Sequence, residues 1–236
     1  MWAGNSKLGF GIKARVLYLT NQLVMSRPAR VSPDRILYAA ALEFAARGFA
    51  GARVDRIARR ARVNKAMLYY HFGSKQALYR TILRRMFTSA AERLHGIGQS
   101  HRTPQDKLDD VIAALAMLIQ DHASFPAIML REVAEGGAHL DRDTLAALAS
   151  VPRAVADIVS QGISRGAFRP VNPLFAYFNL LPPILFYLAG TPIRQELTHL
   201  HLLKLPAAGM DDFVQHVQDA ARRALARDPV STRRRR

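Results

Sequence analysis

The stretch RVNKAMLYYHFGSK, Arg62 to Lys75, gathers two lysines, two phenols and an imidazole and contains no carboxylate. Phenol and imidazole groups donate hydrogen bonds, and lysine carries a mobile positive charge. A segment rich in donors and without acid suits a partner that supplies the negative charge. Phosphate oxygens are such a partner: many protein–DNA contacts run to the backbone from these side chains and from helix N-termini.

Presenting these groups together requires a rigid frame. Ser32-Pro33-Asp34 is a helix opening, with Ser32 as cap, Pro33 at the first helical position and Asp34 at the positive end of the dipole. Ile36, Leu37, Ala40, Ala41, Phe44 and Ala45 recur at helical spacing up to Gly48, which predicts a first helix over about 33–47. Val54, Ile57, Ala58 and Ala61 predict a short second helix over about 54–61, with Arg56, Arg59, Arg60 and Arg62 around its other faces. Asn64 caps a third helix, about 65–71, whose inward residues are Leu68 and Phe72 and which Gly73 ends. Ser74 caps a long fourth helix burying Ala77, Leu78, Ile82, Leu83, Met86 and Phe87. The second helix, the turn and the third helix form a helix-turn-helix, whose second member enters the major groove with its N-terminal residues at base edges. Lys65, Met67, Tyr69, Tyr70 and His71 are left around the outside.

The charge follows this division. The 236 residues carry a net +16. Arg27 to Arg85 holds 14 Lys/Arg against 3 Asp/Glu, whereas Ala91 to Ala226 holds 12 against 14. A basic block joined to a near-neutral one points to a polyanion-binding module attached to a second unit. The length suffices for one large or two modest domains, and the apolar half of the composition predicts a globular chain. The absence of cysteine removes disulfides, thiol nucleophiles and Cys-based zinc sites and fits a reducing, cytoplasmic setting. The most apolar run, Leu174 to Gly190, is short for a membrane span, and Pro182-Pro183 interrupts it. A buried, kinked helix is expected there, with no membrane partner. Residues 1–30 lack a signal-peptide cleavage pattern and are expected to form an unstructured arm, with Met25 an alternative translation start.

The run RILYAAALEFAARGFAGARVDRIARRARVNKAMLYYHFGSKQALYRTIL resembles the N-terminal DNA-binding domain of the TetR family of helix-turn-helix transcriptional regulators, over about residues 33 to 87. Its marks are AALEFAARGF, VDRIARRARV and LYYHFGSKQALY, weak singly and specific in this order and spacing. The resemblance implies an all-α homodimer with a three-helix DNA-binding domain at 31–87 and a helical ligand-binding and dimerisation domain at 88–226, leaving a basic tail at 227–236. It implies a palindromic double-stranded DNA operator, repression, and release by a small-molecule effector. Carried over to this sequence, it puts Lys65, Ala66 and Met67 at bases, Tyr69, Tyr70 and His71 on the DNA backbone, and Arg53 and Lys75 on phosphates. Three departures stand out. Family members commonly carry a hydroxyl cap where this chain has Ala52 and Arg53, a loss of about 1 kcal/mol. They usually have glycine where Arg62 stands, so a left-handed Arg62 costs about 1 kcal/mol. Ala66-Met67 replaces a frequent Gly-Thr, and Met67 can touch a thymine methyl but donates no hydrogen bond.

Beyond residue 90 the reading rests on pattern. Helices are expected from Thr103-Pro104, from Pro126 to Gly136-Gly137, from Leu145 to Gly166 with a bend near Pro152, from Asn172-Pro173 and from Met210 to Ala226. The resemblance implies pairing through the last two long helices, Leu174 to Leu188 and Met210 to Leu225, as an isologous interface. An effector pocket is expected among Met117, His122, Phe125, Met129, His139, Tyr177 and Phe178, whose mostly apolar character favours a hydrophobic ligand. Aromatics and methionines at helical spacing more often serve as plain core. No catalytic set is found. The pairs His95/His101 and His199/His201 lack the spacing that places two ligands on one helical turn, and no metal or cofactor is expected. The competing reading is a basic, sequence-blind DNA binder without ligand control, supported by the tail Arg233 to Arg236.

Overall fold

The capping residues act where the sequence puts them. Ser32 Oγ accepts the Asp34 amide at 3.2 Å, Asn64 Oδ1 that of Ala66 at 3.0 Å, and Ser74 Oγ that of Ala77 at 3.0 Å. Thr103 Oγ1, Asp141 Oδ1 and Asn172 Oδ1 do the same at the starts of three later helices. A computed structural model describes residues 32–202, 204 and 208–227. The expected arm, Met25 and the tail from 228 onward lie outside the described residues.

These residues form ten helices and, among the described residues, no strand: α1 Pro33–Gly51, α2 Val54–Ala61, α3 Lys65–Phe72, α4 Lys75–Gln99, α5 Pro104–Asp121, α6 Phe125–Ala134, α7 Arg142–Ser164, α8 Pro173–Ala189, α9 Thr191–His199 and α10 Met210–Leu225. Gly48 breaks α1 with φ 67°, and a final turn follows it. A side chain there would be strained by the backbone and would meet Arg131 Nη1 at 3.1 Å.

Helices α1 to α3 and the start of α4 close a head around Ile36, Phe44, Ile57, Leu68 and Leu78, all at most 1% exposed. Each such side chain contributes about 1.5–3 kcal/mol over its exposed state. Helix α4 leaves the head and becomes the central strut of the body, packed most extensively on α7. The body core gathers Leu108, Ile112, Ile128, Val155, Ile158, Leu180 and Ile184.

Several expectations are corrected here. Helix α7 starts at Arg142 rather than Leu145, because Asp141 caps it, and it continues through Pro152. Helix α8 also continues through Pro182-Pro183 and is not fully buried: Ala176, Leu180 and Ile184 face the core, while Leu174, Phe175, Phe178 and Phe186 are exposed. Helix α9 was not expected, although Pro192 at its start is an opening signal. No single helix among the described residues is long and apolar enough to cross a membrane.

Candidate nucleic-acid interface and effector cavity

Helix α2 begins without a side-chain cap, with Arg53 in the capping position. Its place is fixed instead by Glu43, a carboxylate of α1 that is only 4% exposed. Glu43 Oε1 accepts Arg56 Nε at 2.6 Å and the Arg53 amide at 3.4 Å, and Arg47 lies 3.7 Å away. Burial pushes this carboxyl up, but the hydrogen bonds from Arg56 and Arg53 and the charges of Arg56 and Arg47 outweigh it and hold the group below its ordinary value. Arg35 adds a second clamp, Nη2 to the Ala61 carbonyl at 2.9 Å.

The turn after α2 is made by Arg62 in the left-handed conformation, φ 52° and ψ 48°. Its amide returns to Arg59 O at 3.1 Å and that of Val63 to Ala58 O at 3.0 Å, the hydrogen-bonded helix ending that glycine adopts most readily. Helix α3 then anchors itself through Leu68, fully buried, with Phe72 half-buried beside it.

Of the residues expected to meet DNA, Arg53, Lys65, Ala66, Tyr69 and Tyr70 are exposed, Tyr70 by 81%. Met67 and His71 are half-exposed, and His71 Nε2 is buried without a hydrogen-bond partner. Lys65 Nζ rests on Asp55 Oδ1 at 3.0 Å, and that hydrogen bond and charge raise the lysine's pKa. Lys75 differs most from expectation. Its ammonium donates to Phe49 O at 2.9 Å and Ala52 O at 3.2 Å and sits 4.6 Å from the centre of the Phe49 ring. It thereby ties the start of α4 to the end of α1.

The same Phe49 leads into the body. Its ring lies against Tyr79 and His139, and Tyr79 Oη donates to Glu132 Oε2 at 2.7 Å. Burial, with the hydrogen bond to Glu132, pushes the Tyr79 phenol far above its ordinary range. Two residues, Phe49 and Tyr79, thus connect the helix-turn-helix to α6.

A cavity of about 330 Å³ lies between α4, α5, α6, α7 and α8. Met86, Phe87 and Ala90 of α4 form one wall, and Tyr177 supplies the one polar side-chain group of the lining. Burial raises the pKa of that phenol, so it remains a neutral donor at physiological pH. Of the seven residues expected to line a pocket, the structure brings Phe125, Met129, Tyr177 and Phe178 together here and excludes three. Met117 is 54% exposed, because Leu115, Leu118 and Ile119 hold the inner face of α5. His122 follows α5 and faces a different cleft, shared with Tyr38 and Asp34 of the head. His139 is carried out of the cavity to Glu132 by the turn at Gly136-Gly137.

Residues 36–82 match the family model described as bacterial regulatory proteins, tetR family. Over 207 residues, 86% of this chain and 97% of the relative, the chain is 27% identical to the HTH-type transcriptional repressor NicS of Pseudomonas putida. It is 34% identical over 104 residues to the repressor SCO4008 of Streptomyces coelicolor, covering 44% of this chain and 49% of that protein. Among solved structures, FadR of Bacillus subtilis in complex with stearoyl-CoA has a similar fold, with TM-score 0.65 and 15% identity over 80% of this chain and 97% of that one. The helix-turn-helix head, the strut that carries it and the all-α body agree with these matches, and residues 36–82 form a helix-turn-helix DNA-binding domain of the TetR type.

Proposed function

We infer that the chain is a cytoplasmic homodimeric repressor that binds a palindromic operator and is released by an apolar small molecule. The observation that carries this reading is the apolar cavity walled by α4, the helix whose first residue is part of the head. From Lys75 to Met86 is eleven residues, about 17 Å of straight helix. A ligand that shifts α4 at Met86, Phe87 and Ala90 therefore moves the base of the head as a lever. Helix α6 carries a second link, since Met129, Leu130 and Val133 line the cavity and Glu132 holds Tyr79.

The volume falls in the range of small-molecule sites, about 300–1,000 Å³. The lining selects an apolar ligand with at most one acceptor for Tyr177. Stearoyl-CoA in FadR, whose fold is similar, also presents a long apolar chain. The exposed Leu174, Phe175, Phe178 and Phe186 on α8 give the apolar surface that a two-fold interface needs, with α10 beside it. On the head, Lys65, Ala66 and Met67 address bases, while Arg53, Tyr69, Tyr70 and His71 address the backbone. Repression rather than activation is supported by the near full-length similarity to NicS.

The test is a selection from random duplex DNA at about physiological salt, where sequence-blind phosphate binding is weakened. An enriched inverted repeat supports the reading. Binding that decays steadily with salt, without enrichment, would favour a basic anchor without operator specificity. Apolar compounds that raise the melting temperature are then expected to release the selected DNA.

A further inference from the structure

Outside the cavity and the DNA-facing surface, one cluster of side chains has its own chemistry. Glu132 and Glu135 end α6, and the left-handed pair Gly136-Gly137 turns the chain so that His139 comes back over them. Nδ1 of His139 lies 3.1 Å from Glu132 Oε2 and 3.2 Å from Glu135 Oε2. Glu132 is 1% exposed, and neither carboxylate pairs with a lysine or arginine among the described residues. Two carboxylates converge on one nitrogen, in a seam that is closed on one side by Phe49 and Tyr79. Hydrogen bonds from Tyr79 and His139 satisfy Glu132, yet the two converging carboxylates still favour a cation beside them.

The geometry points to a divalent transition-metal site, preferring Zn²⁺, held by Glu132, Glu135 and His139 Nδ1. Zinc takes nitrogen and carboxylate oxygen at about 2.0–2.1 Å, so neighbouring ligand atoms of a tetrahedral site lie about 3.3–3.4 Å apart. The observed nitrogen–oxygen separations of 3.1 and 3.2 Å need little adjustment to accept the ion. One imidazole and two carboxylates form a borderline donor set, which disfavours soft ions such as Cu(I).

The ligands are also held from behind. Glu132 Oε2 accepts Tyr79 Oη at 2.7 Å, and Oε1 accepts the His139 amide at 2.9 Å. Arg80 Nε fixes the His139 carbonyl at 2.8 Å. Such outer hydrogen bonds orient a ligand set before the ion arrives. Glu135 is half-exposed and gives a route from solvent, and a fourth position remains for water. A bound ion would pin His139 against the Phe49 ring and so fasten the body to the head.

The test uses the full chain, stripped with a chelator and dialysed into metal-free buffer. Co²⁺ is titrated while its visible d–d absorption is followed, and Zn²⁺ is then added in competition. One equivalent per chain is expected, with the intense bands of a four-coordinate site that Zn²⁺ abolishes. Glu135→Gln and His139→Gln should each weaken binding about tenfold or more, while a His199→Gln/His201→Gln double variant should not. Glu135 is half-exposed, so its variant should keep the wild-type circular dichroism spectrum. Unchanged affinity in Glu135→Gln would overturn the site, as would loss of binding confined to the His199/His201 variant.

Discussion

Replacing Lys75 by methionine separates two roles that a lysine at the base of a DNA-binding head can play. The substitution keeps most of the aliphatic stem and removes the ammonium. It deletes two charge-assisted hydrogen bonds, to Phe49 O and Ala52 O, and the stacking of the ammonium over the Phe49 ring. Hydrogen bonds to charged groups contribute about 1.5–3 kcal/mol each, and a half-exposed cation–π pair about 0.5–1 kcal/mol. Half-exposure of Lys75 and replacement by water reduce the sum, so a net loss of about 2–3 kcal/mol is expected. For a cooperative chain of this length that corresponds to a melting temperature lower by roughly 4–12 °C. Operator binding should weaken through the loosened head, with the salt dependence unchanged. If Lys75 instead neutralised a phosphate in each head of a dimer, its removal would reduce the slope of log K against log salt by about 1.8, from about 0.9 per phosphate. Thermal melts and mobility-shift titrations at several salt concentrations read both quantities. An unchanged melting temperature with a slope lower by about two would refute the internal role.

Four further outcomes are expected. Glu43 has a folded-state pKa below its ordinary value. Its stabilisation is therefore complete above about pH 4.3 and is lost as the pH falls through the lower folded value. Glu43→Gln should cost about 1–3 kcal/mol at neutral pH and flatten the acid limb of a melting-temperature profile. Arg62→Gly should raise stability by about 0.5–1 kcal/mol by relieving the left-handed residue, read from urea unfolding midpoints. Phe175→Glu, on the exposed face of α8, should shift sedimentation from dimer to monomer; a dimer that persists would move the interface elsewhere. Met67→Ala should change the selected operator logo more than the total affinity, and an identical logo would remove Met67 from base recognition.

The head was legible because its punctuation is local. Ser32, Gly48, Asn64, Gly73 and Ser74 each fix a boundary through a hydrogen bond or a backbone angle within a few residues. Glycine is usual in the family where Arg62 stands, and Arg62 takes the left-handed conformation there. Glu43 was missed because its partners Arg53 and Arg56 lie on another helix. A hint was present all the same: a lone acid between Leu42 and Phe44 on an otherwise apolar side of α1. The pocket is only partly legible because residue type does not reveal which helix face a side chain occupies. On α5 the interior belongs to Leu115, Leu118 and Ile119, and Met117 lies on the other side. His139 depends on two consecutive left-handed glycines, whose effect on direction no periodicity reports. Lys75 looked like a phosphate ligand by position, and its carbonyl partners appear only once α1 and α4 are packed.

Helix α4 belongs to the head at one end and to the cavity wall at the other, so the two proposed binding events share one mechanical element. Equilibrium binding through a shared element is reciprocal: if the ligand weakens the grip on DNA by some factor, DNA weakens the grip on the ligand by the same factor. The operator is then itself an antagonist of the effector. Protein bound at an operator would respond at a higher effector concentration than protein free in solution, and the dose at which a promoter opens would rise with the number and strength of its binding sites.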